Sequence, residues 1–276
     1  MTAAAIKTKG GELRGALPKP RIAFFDIDGT LVPLGKNELS DKTRAALLGL
    51  QAAGVRIVVA TGRPISRVPA FAGVSFDAFL TFNGSYCADR EKRCIAKRTI
   101  SREDAARIIR NAAGLHRPVA LAGLSSQCAN GTEKDLADYY AISGQRVPVR
   151  PDFDGFLSGE DIYQIMMGAR KEEYGRTLAG TEHAEITAWW PRAVDIIPKG
   201  SGKGQGVGAI LRHFGLSRDE AIAFGDGRND IPMFRAVGTG VAMGNTKQDV
   251  KDQASDLCPP AAEDGIWQYL TARHYL

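Results

Sequence analysis

The chain has 276 residues, 44% apolar and 24% charged, the balance of an ordinary globular protein with enough length for one large core or two smaller ones. No run approaches eighteen apolar residues, and the first twenty contain no apolar stretch with a cleavage site, so neither a membrane span nor a secretory leader is expected and the protein reads as cytoplasmic. The net charge of +5 arises from 36 basic residues interleaved with 31 acidic ones, without a basic stripe or zinc-finger spacing, which argues against nucleic acid and suits a surface that draws in small anions.

Residues 1–20 carry Lys7, Lys9, Arg14 and Lys19 among Gly and Pro and read as a flexible tail. Ile22 to Phe25 is an apolar, aromatic run typical of a buried strand. It stops at Asp26-Ile27-Asp28-Gly29-Thr30. Two carboxylates two residues apart repel, and such a pair is tolerable mainly where a cation or a reaction demands it. A plain Asp-Gly turn is the bland alternative, and it predicts nothing further along the chain. Ser40 then caps a helix in which Leu39, Thr43, Ala46, Leu47 and Leu50 recur at helical spacing until Gly54. Val55 to Ala60 is a second strand, ending at Thr61-Gly62-Arg63. Phe76 to Phe82 is a third, ending at Asn83-Gly84.

Further on, Ser101 caps a helix with Ala105, Ile108, Ile109 and Ala112 on one face, and Tyr163 to Met167 and Ile186 to Trp190 read as strands. No carboxylates cluster at their ends. The earlier grammar returns with a helix over Gly202 to His213, a strand over Ala221 to Phe224, and the polar turn Gly225-Asp226-Gly227-Arg228-Asn229-Asp230. A helix over Ile231 to Ala236, a strand over Gly240 to Met243 and a terminal helix with Trp267, Tyr269 and Leu270 complete it. Strands with polar residues only at their carboxyl ends belong to a doubly wound parallel α/β sheet, whose ligands bind beyond those ends. Residues 21–84 and 194–276 are expected to form this Rossmann-like core, and residues 85–193 an inserted α/β domain.

Asp26/Asp28, Thr61 and Asp226/Asn229/Asp230 therefore share one edge of one predicted sheet. Converging hard oxygen ligands suit Mg²⁺, which takes a few carboxylates, water and a phosphate oxygen. Lys203, between Gly202 and Gly204 at a predicted helix start, offers charge and backbone amides to a phosphoryl group. Thr61 adds a hydroxyl and Gly62 a free N–H. Gly200-Ser201-Gly202-Lys203-Gly204 lacks the hydroxyl residue after the lysine and the first glycine that a nucleotide P-loop needs. The four cysteines Cys87, Cys94, Cys128 and Cys258 are scattered, with no metal or redox spacing.

The chain resembles the haloacid dehalogenase (HAD) superfamily, specifically the Cof-type phosphatases with a C2-type cap. The resemblance rests on Asp26-Ile27-Asp28-Gly29-Thr30, Thr61-Gly62-Arg63, Lys203 and Gly225 to Asp230 in order, with Thr81-Phe82-Asn83-Gly84 and Gly240 to Asn245 as further loops. It implies that Asp26 is the nucleophile, forming an aspartyl-phosphate, and Asp28 the general acid/base. It implies Mg²⁺ held by Asp26, the Asp28 carbonyl and Asp226, with Asp230 as ligand or orienter, and phosphoryl oxygens bound by Thr61, Gly62, Lys203 and Asn229. The expected function is Mg²⁺-dependent hydrolysis of a small phosphorylated metabolite, foremost a sugar phosphate. The rival readings are a phosphomannomutase-like phosphotransferase and a non-catalytic phosphosugar-binding protein.

Overall fold

A computed structural model describes residues 19–276; Lys7, Lys9 and Arg14 of the expected tail lie outside the described residues. The strands are β1 (Ile22–Phe25), β2 (Arg56–Ala60), β3 (Ala78–Thr81), β4 (Tyr86–Asp89), β5 (Cys94–Lys97), β6 (Val119–Ala122), β7 (Gln127–Ala129), β8 (Gln164–Gly168), β9 (Ala184–Thr187), β10 (Ala193–Pro198), β11 (Ala221–Gly225), β12 (Thr239–Met243) and β13 (Asp256–Cys258). The helices are α1 (Asp41–Ala52), α2 (Arg102–Gly114), α3 (Lys134–Ile142), α4 (Phe153–Gly159), α5 (Tyr174–Thr177), α6 (Lys203–Phe214), α7 (Ile231–Ala236), α8 (Gln248–Lys251) and α9 (Gly265–Ala272). Among the described residues no helix is long and apolar enough to cross a membrane.

The strands form two sheets, one of eight strands in the order β13-β12-β11-β1-β2-β3-β4-β5 and one of five in the order β7-β6-β8-β10-β9. In the first, β13 to β3 are parallel. Its middle strand β1 is wholly buried because helices cover both faces, which is why it reads as an unbroken apolar run. Alternation still sorts its side chains. Ala23 and Phe25 face α1 and α9 through Leu47, Ile266 and Tyr269, while Ile22 and Phe24 face α6 and α7 through Val207, Ile210 and Met233. Local signals act as expected: the Ser40 hydroxyl accepts the Thr43 amide at 3.0 Å, and Gly215 ends α6 in the left-handed conformation.

Sheet membership moves both expected domain boundaries. The β4–β5 hairpin adds antiparallel to β3 and so extends the larger sheet beyond residue 84. The reversal is made at once by Asn83 (φ 53°) and Gly84 (φ 98°), too tight to register in the apolar pattern. A Cβ on Gly84 would lie 2.2 Å from the Gly202 carbonyl oxygen, so glycine is required where this turn meets the start of α6. At the other end, Ala193–Pro198 pairs with both β8 and β9 inside the antiparallel second sheet. The expected strand over Ile186 to Trp190 is also shorter and earlier, leaving Trp189 and Trp190 in a turn.

One face of the second sheet carries α2 and α4, with Ile108, Leu121, Ile165, Met167, Val194 and Ile196 in the core. Its other face packs on the larger sheet's loops. Tyr163 stacks on Phe82 (centroids 5.2 Å apart) and meets Tyr86 edge-on at 5.5 Å. Full burial of one such ring is worth about 2–3 kcal/mol, so this aromatic junction holds the two sheets together above the parallel edge.

Candidate active site

Asp26 and Asp226 are neighbours because the strands before them are. The register pairs Phe25 with Phe224, and the Asp26 amide donates to the Phe224 carbonyl at 3.0 Å, so both chains leave the sheet side by side. The carboxylates of Asp26, Asp226 and Asp230 approach within 4.8 Å of one another. Gly29 (φ 84°) makes room for this: a Cβ there would sit 2.3 Å from Asp226 Oδ2. Thr30 Oγ1 donates to Asp226 Oδ1 at 3.3 Å, and Asn245 Nδ2 donates to Asp226 Oδ2 at 3.3 Å and to the Gly29 carbonyl at 2.9 Å.

Lys203 opens α6 yet is wholly buried, because its ammonium reaches under the cluster. Nζ lies 2.7 Å from Asp26 Oδ1 and 2.5 Å from Asp230 Oδ1. The other oxygen of Asp230 accepts the amides of Asp226 (3.0 Å) and Gly227 (2.9 Å). Asp230 thus has both oxygens engaged by protein donors and does not line the cleft, while Asp26 and Asp226 do.

One ammonium among three carboxylates leaves negative charge uncompensated. Burial pushes the Asp26 carboxyl up to about 7, with Lys203 pulling against it and Asp230 and Asp28 adding to the rise. Burial likewise raises Asp226 well above the carboxylate range, helped by Asp26 and Asp230. Burial works against the Lys203 ammonium, but Asp230 and Asp26 outweigh it and raise its pKa. A site made of hard carboxylate oxygens with excess negative charge fits a divalent cation such as Mg²⁺.

The expected phosphate-binding residues surround this cluster. Thr61 and Gly62 follow β2, and Asn229 sits in the turn after β11; Thr61, Gly62 and Asn229 line the same cleft as Asp26, Asp28 and Asp226. Lys203 and Asp230 lie behind the cleft wall. Asp28 turns sideways, and Arg63 grips both its oxygens, Nε to Oδ2 at 2.8 Å and Nη2 to Oδ1 at 2.6 Å. The cleft encloses about 760 Å³ including its open mouth and is roofed by Gln127, Gln164, Met166 and Asp195 of the second sheet with Tyr139 of α3 and Trp189 after β9. Trp189 lines it, whereas Trp190 stacks on Tyr139 (5.9 Å) and is covered by the Arg192 guanidinium at 4.3 Å.

Sequence reasoning had no role for Arg63, Asn83, Tyr139, Gln164 or Asp195. Arg63 and Asn83 stood inside quoted motifs. Asp195 left a signal as well, a lone carboxylate in the apolar strand Ala193–Pro198. Phe82, Asn83 and Gly84 all have positive φ, an uncommon run that costs energy and that the Phe82–Tyr163 stack and the Asn83 side-chain bonds hold in place.

Comparison with known proteins places this geometry among relatives. Residues 23–270 match a family model described as haloacid dehalogenase-like hydrolase. YkrA of Bacillus subtilis (strain 168) is 29% identical over 248 residues, covering 89% of this chain and 95% of that protein. YitU of the same organism, a 5-amino-6-(5-phospho-D-ribitylamino)uracil phosphatase, is 26% identical over 267 residues, covering 91% and 97%. Among solved structures, a HAD subclass IIB sugar phosphatase superimposes with a TM-score of 0.82 at 30% identity, covering 93% of this chain and 100% of that one.

Proposed function

The chain belongs to the haloacid dehalogenase-like hydrolases, and from that membership we propose that it is a Mg²⁺-dependent phosphatase that releases phosphate from a small phosphorylated metabolite, foremost a sugar phosphate. The observation that carries the proposal is the convergence of Asp26 and Asp226 in one cleft that Thr61, Gly62 and Asn229 also line, with the Lys203 ammonium buried behind Asp26. The sugar phosphatase and the phosphoribitylamino-uracil phosphatase among the relatives support a small phosphorylated substrate.

In this reading Asp26 Oδ2 attacks phosphorus while Lys203 holds Oδ1, and the leaving alkoxide takes its proton from Asp28. Asp28 then removes a proton from water, which attacks the aspartyl-phosphate and returns Asp26 with release of inorganic phosphate. Thr61, Gly62, Asn229 and Lys203 bind the phosphoryl oxygens, and Arg63 orients Asp28. Asp26, the Asp28 carbonyl and Asp226 would hold Mg²⁺, which neutralises charge on the phosphoryl oxygens when bound. The engaged oxygens of Asp230 support a role as orienter of Lys203 and the Asp226 loop rather than as ligand. Residues 98–199 would act as a cap over the cleft, joined to the core at the Lys97-Arg98 and Lys199-Gly200 connections.

The test is phosphate release from p-nitrophenyl phosphate and a panel of sugar phosphates, with EDTA and with Mg²⁺. Turnover is expected only with Mg²⁺, yielding free phosphate and no isomerised sugar phosphate. Isomerisation without release would point to a mutase, and the absence of turnover on every substrate would remove the phosphatase reading.

The raised carboxyl groups add a stability prediction. A folded pKa near 7 for Asp26, against 3.8 unfolded, means that folding favours the protonated form. That contribution is complete below about 4 and is lost as pH rises through about 7. Metal-free protein is therefore expected to melt at a lower temperature at pH 8 than at pH 5. Mg²⁺ should raise the melting temperature more at pH 8, where Asp26 is ionised, than at pH 5, where it is protonated. Equal Mg²⁺ effects at the two pH values would count against a carboxylate metal site.

A further inference from the structure

A chain of hydrogen bonds runs from the second sheet into the phosphate site, and its direction is set by one residue. Asp195, on β10, is 1% exposed and accepts from two donors, Tyr139 Oη on Oδ1 and Asn83 Nδ2 on Oδ2, both at 2.9 Å. Tyr139 Oη in turn accepts Trp189 Nε1 at 2.9 Å. Asn83, also 1% exposed, directs its second amide hydrogen to Gln164 Oε1 at 3.2 Å and its Oδ1 toward Asn229 Nδ2 at 3.0 Å. Gln164 passes the polarity on, with Nε2 donating to the Gly62 carbonyl at 3.3 Å.

An ionised carboxylate only accepts, whereas an amide can face either way. Asp195 therefore obliges Asn83 to present its NH₂ to the second sheet and its carbonyl oxygen to the core. That oxygen obliges Asn229 to donate with one N–H and leaves the other N–H free. The Gly62 carbonyl is drawn up toward Gln164 by the same sequence of contacts. A second contact runs in parallel, since Trp189 packs over Gly227, where an added Cβ would meet Trp189 Cβ at 3.3 Å.

We propose that Asp195 is a positioning residue that fixes Asn83 and, through it, the phosphate-binding amide of Asn229, so that phosphate affinity depends on the second sheet being seated on the core. This rests on the phosphatase reading only in treating Asn229 as a phosphate ligand. Burial raises the Asp195 carboxyl to about 7 against the pull of Tyr139, Asn83 and Lys203, so pH 8 keeps it acceptor-only.

The experiment is calorimetric binding of inorganic phosphate at pH 8 with Mg²⁺, for the full chain and for Asp195→Asn, Asn83→Gly, Asn229→Ala and the two double variants that carry Asn229→Ala. Glycine suits the positive φ of residue 83 and deletes only the amide, so Asn83→Gly carries the test should Asp195→Asn fail to fold. Each single variant is expected to weaken phosphate binding about tenfold, the scale of one hydrogen bond to a charged group. Adding Asp195→Asn or Asn83→Gly to Asn229→Ala should cost less than twofold more, because the pathway has already been cut. A purely structural role would give multiplicative losses approaching a hundredfold, and that result would overturn the proposal. So would phosphate affinity within twofold of the parent in Asp195→Asn and Asn83→Gly. Binding is measured without turnover, so a parent that binds phosphate but hydrolyses nothing would defeat the phosphatase reading alone.

Discussion

Asp26→Asn is expected to lower phosphate release to the uncatalysed background, a loss of roughly 10⁴-fold or more, on the scale seen when a covalent nucleophile is removed. The amide keeps the shape of the side chain and can still accept from Lys203 Nζ, so the fold should survive. Stability should move the opposite way from activity. The substitution removes a carboxylate whose ionisation is opposed by burial and by Asp230 and Asp28. In EDTA at pH 8 the variant should therefore melt at a higher temperature than the parent. The advantage should shrink toward pH 5, where Asp26 in the parent takes up its proton. Release of phosphate at more than a hundredth of the parental rate would exclude Asp26 as nucleophile, whatever the melting curves show.

Lys203→Met is the second large effect, and here activity and stability fall together. The Lys203 side chain is wholly buried against Asp26 and Asp230, so truncating the charge leaves two buried carboxylates without their shared cation. Breaking one side of a buried ion pair costs about 3–5 kcal/mol, a large share of the roughly 5–15 kcal/mol that holds a domain together. Urea unfolding of the metal-free variant at pH 8 should show that loss as a lower midpoint with an unchanged slope. At pH 5 the penalty should be smaller, because Asp26, whose carboxyl burial raises to about 7, is protonated there and no longer needs the ammonium. A cost below 1 kcal/mol at pH 8 would mean that the buried carboxylates do not need the ammonium, and the charge argument would fail.

These two variants separate functions that the fold joins in one place. Asp230 anchors Lys203 with one oxygen and the Asp226–Gly227 backbone with the other, so the residue that holds the cation beside Asp26 also shapes the loop carrying Asp226. Crowding like charges is a stability cost that the buried lysine only partly offsets, and in our proposal Mg²⁺ offsets the remainder.

Much of this site is legible in the linear chain because parallel sheets bring strand ends together by rule. Once Ile22–Phe25 and Ala221–Gly225 are recognised as neighbouring strands, Asp26 and Asp226 must meet, and Thr61 follows from the adjacent strand β2. Sheet membership at the edges of the expected domains was not legible, for the complementary reason. The β4–β5 hairpin and β10 carry ordinary apolar patterns, and only hydrogen-bond partnership says which sheet each joins. The roof of the cleft escaped for the same reason, since Tyr139, Gln164, Trp189 and Asp195 come from four separate segments that share no spacing.

The sequence by itself determined the parallel core, the edge at which its carboxylates gather and the identity of those carboxylates. Those follow from local composition and from the obligatory geometry of consecutive strands and helices. Only the tertiary structure decided that Arg63 holds Asp28, that Asp230 is fully engaged by Lys203 and backbone amides, and that Asn83 donates to Asp195 while accepting from Asn229. Such roles depend on which lone pair meets which hydrogen across separations of 27 to 146 residues, a matter settled by packing rather than by any pattern along the chain.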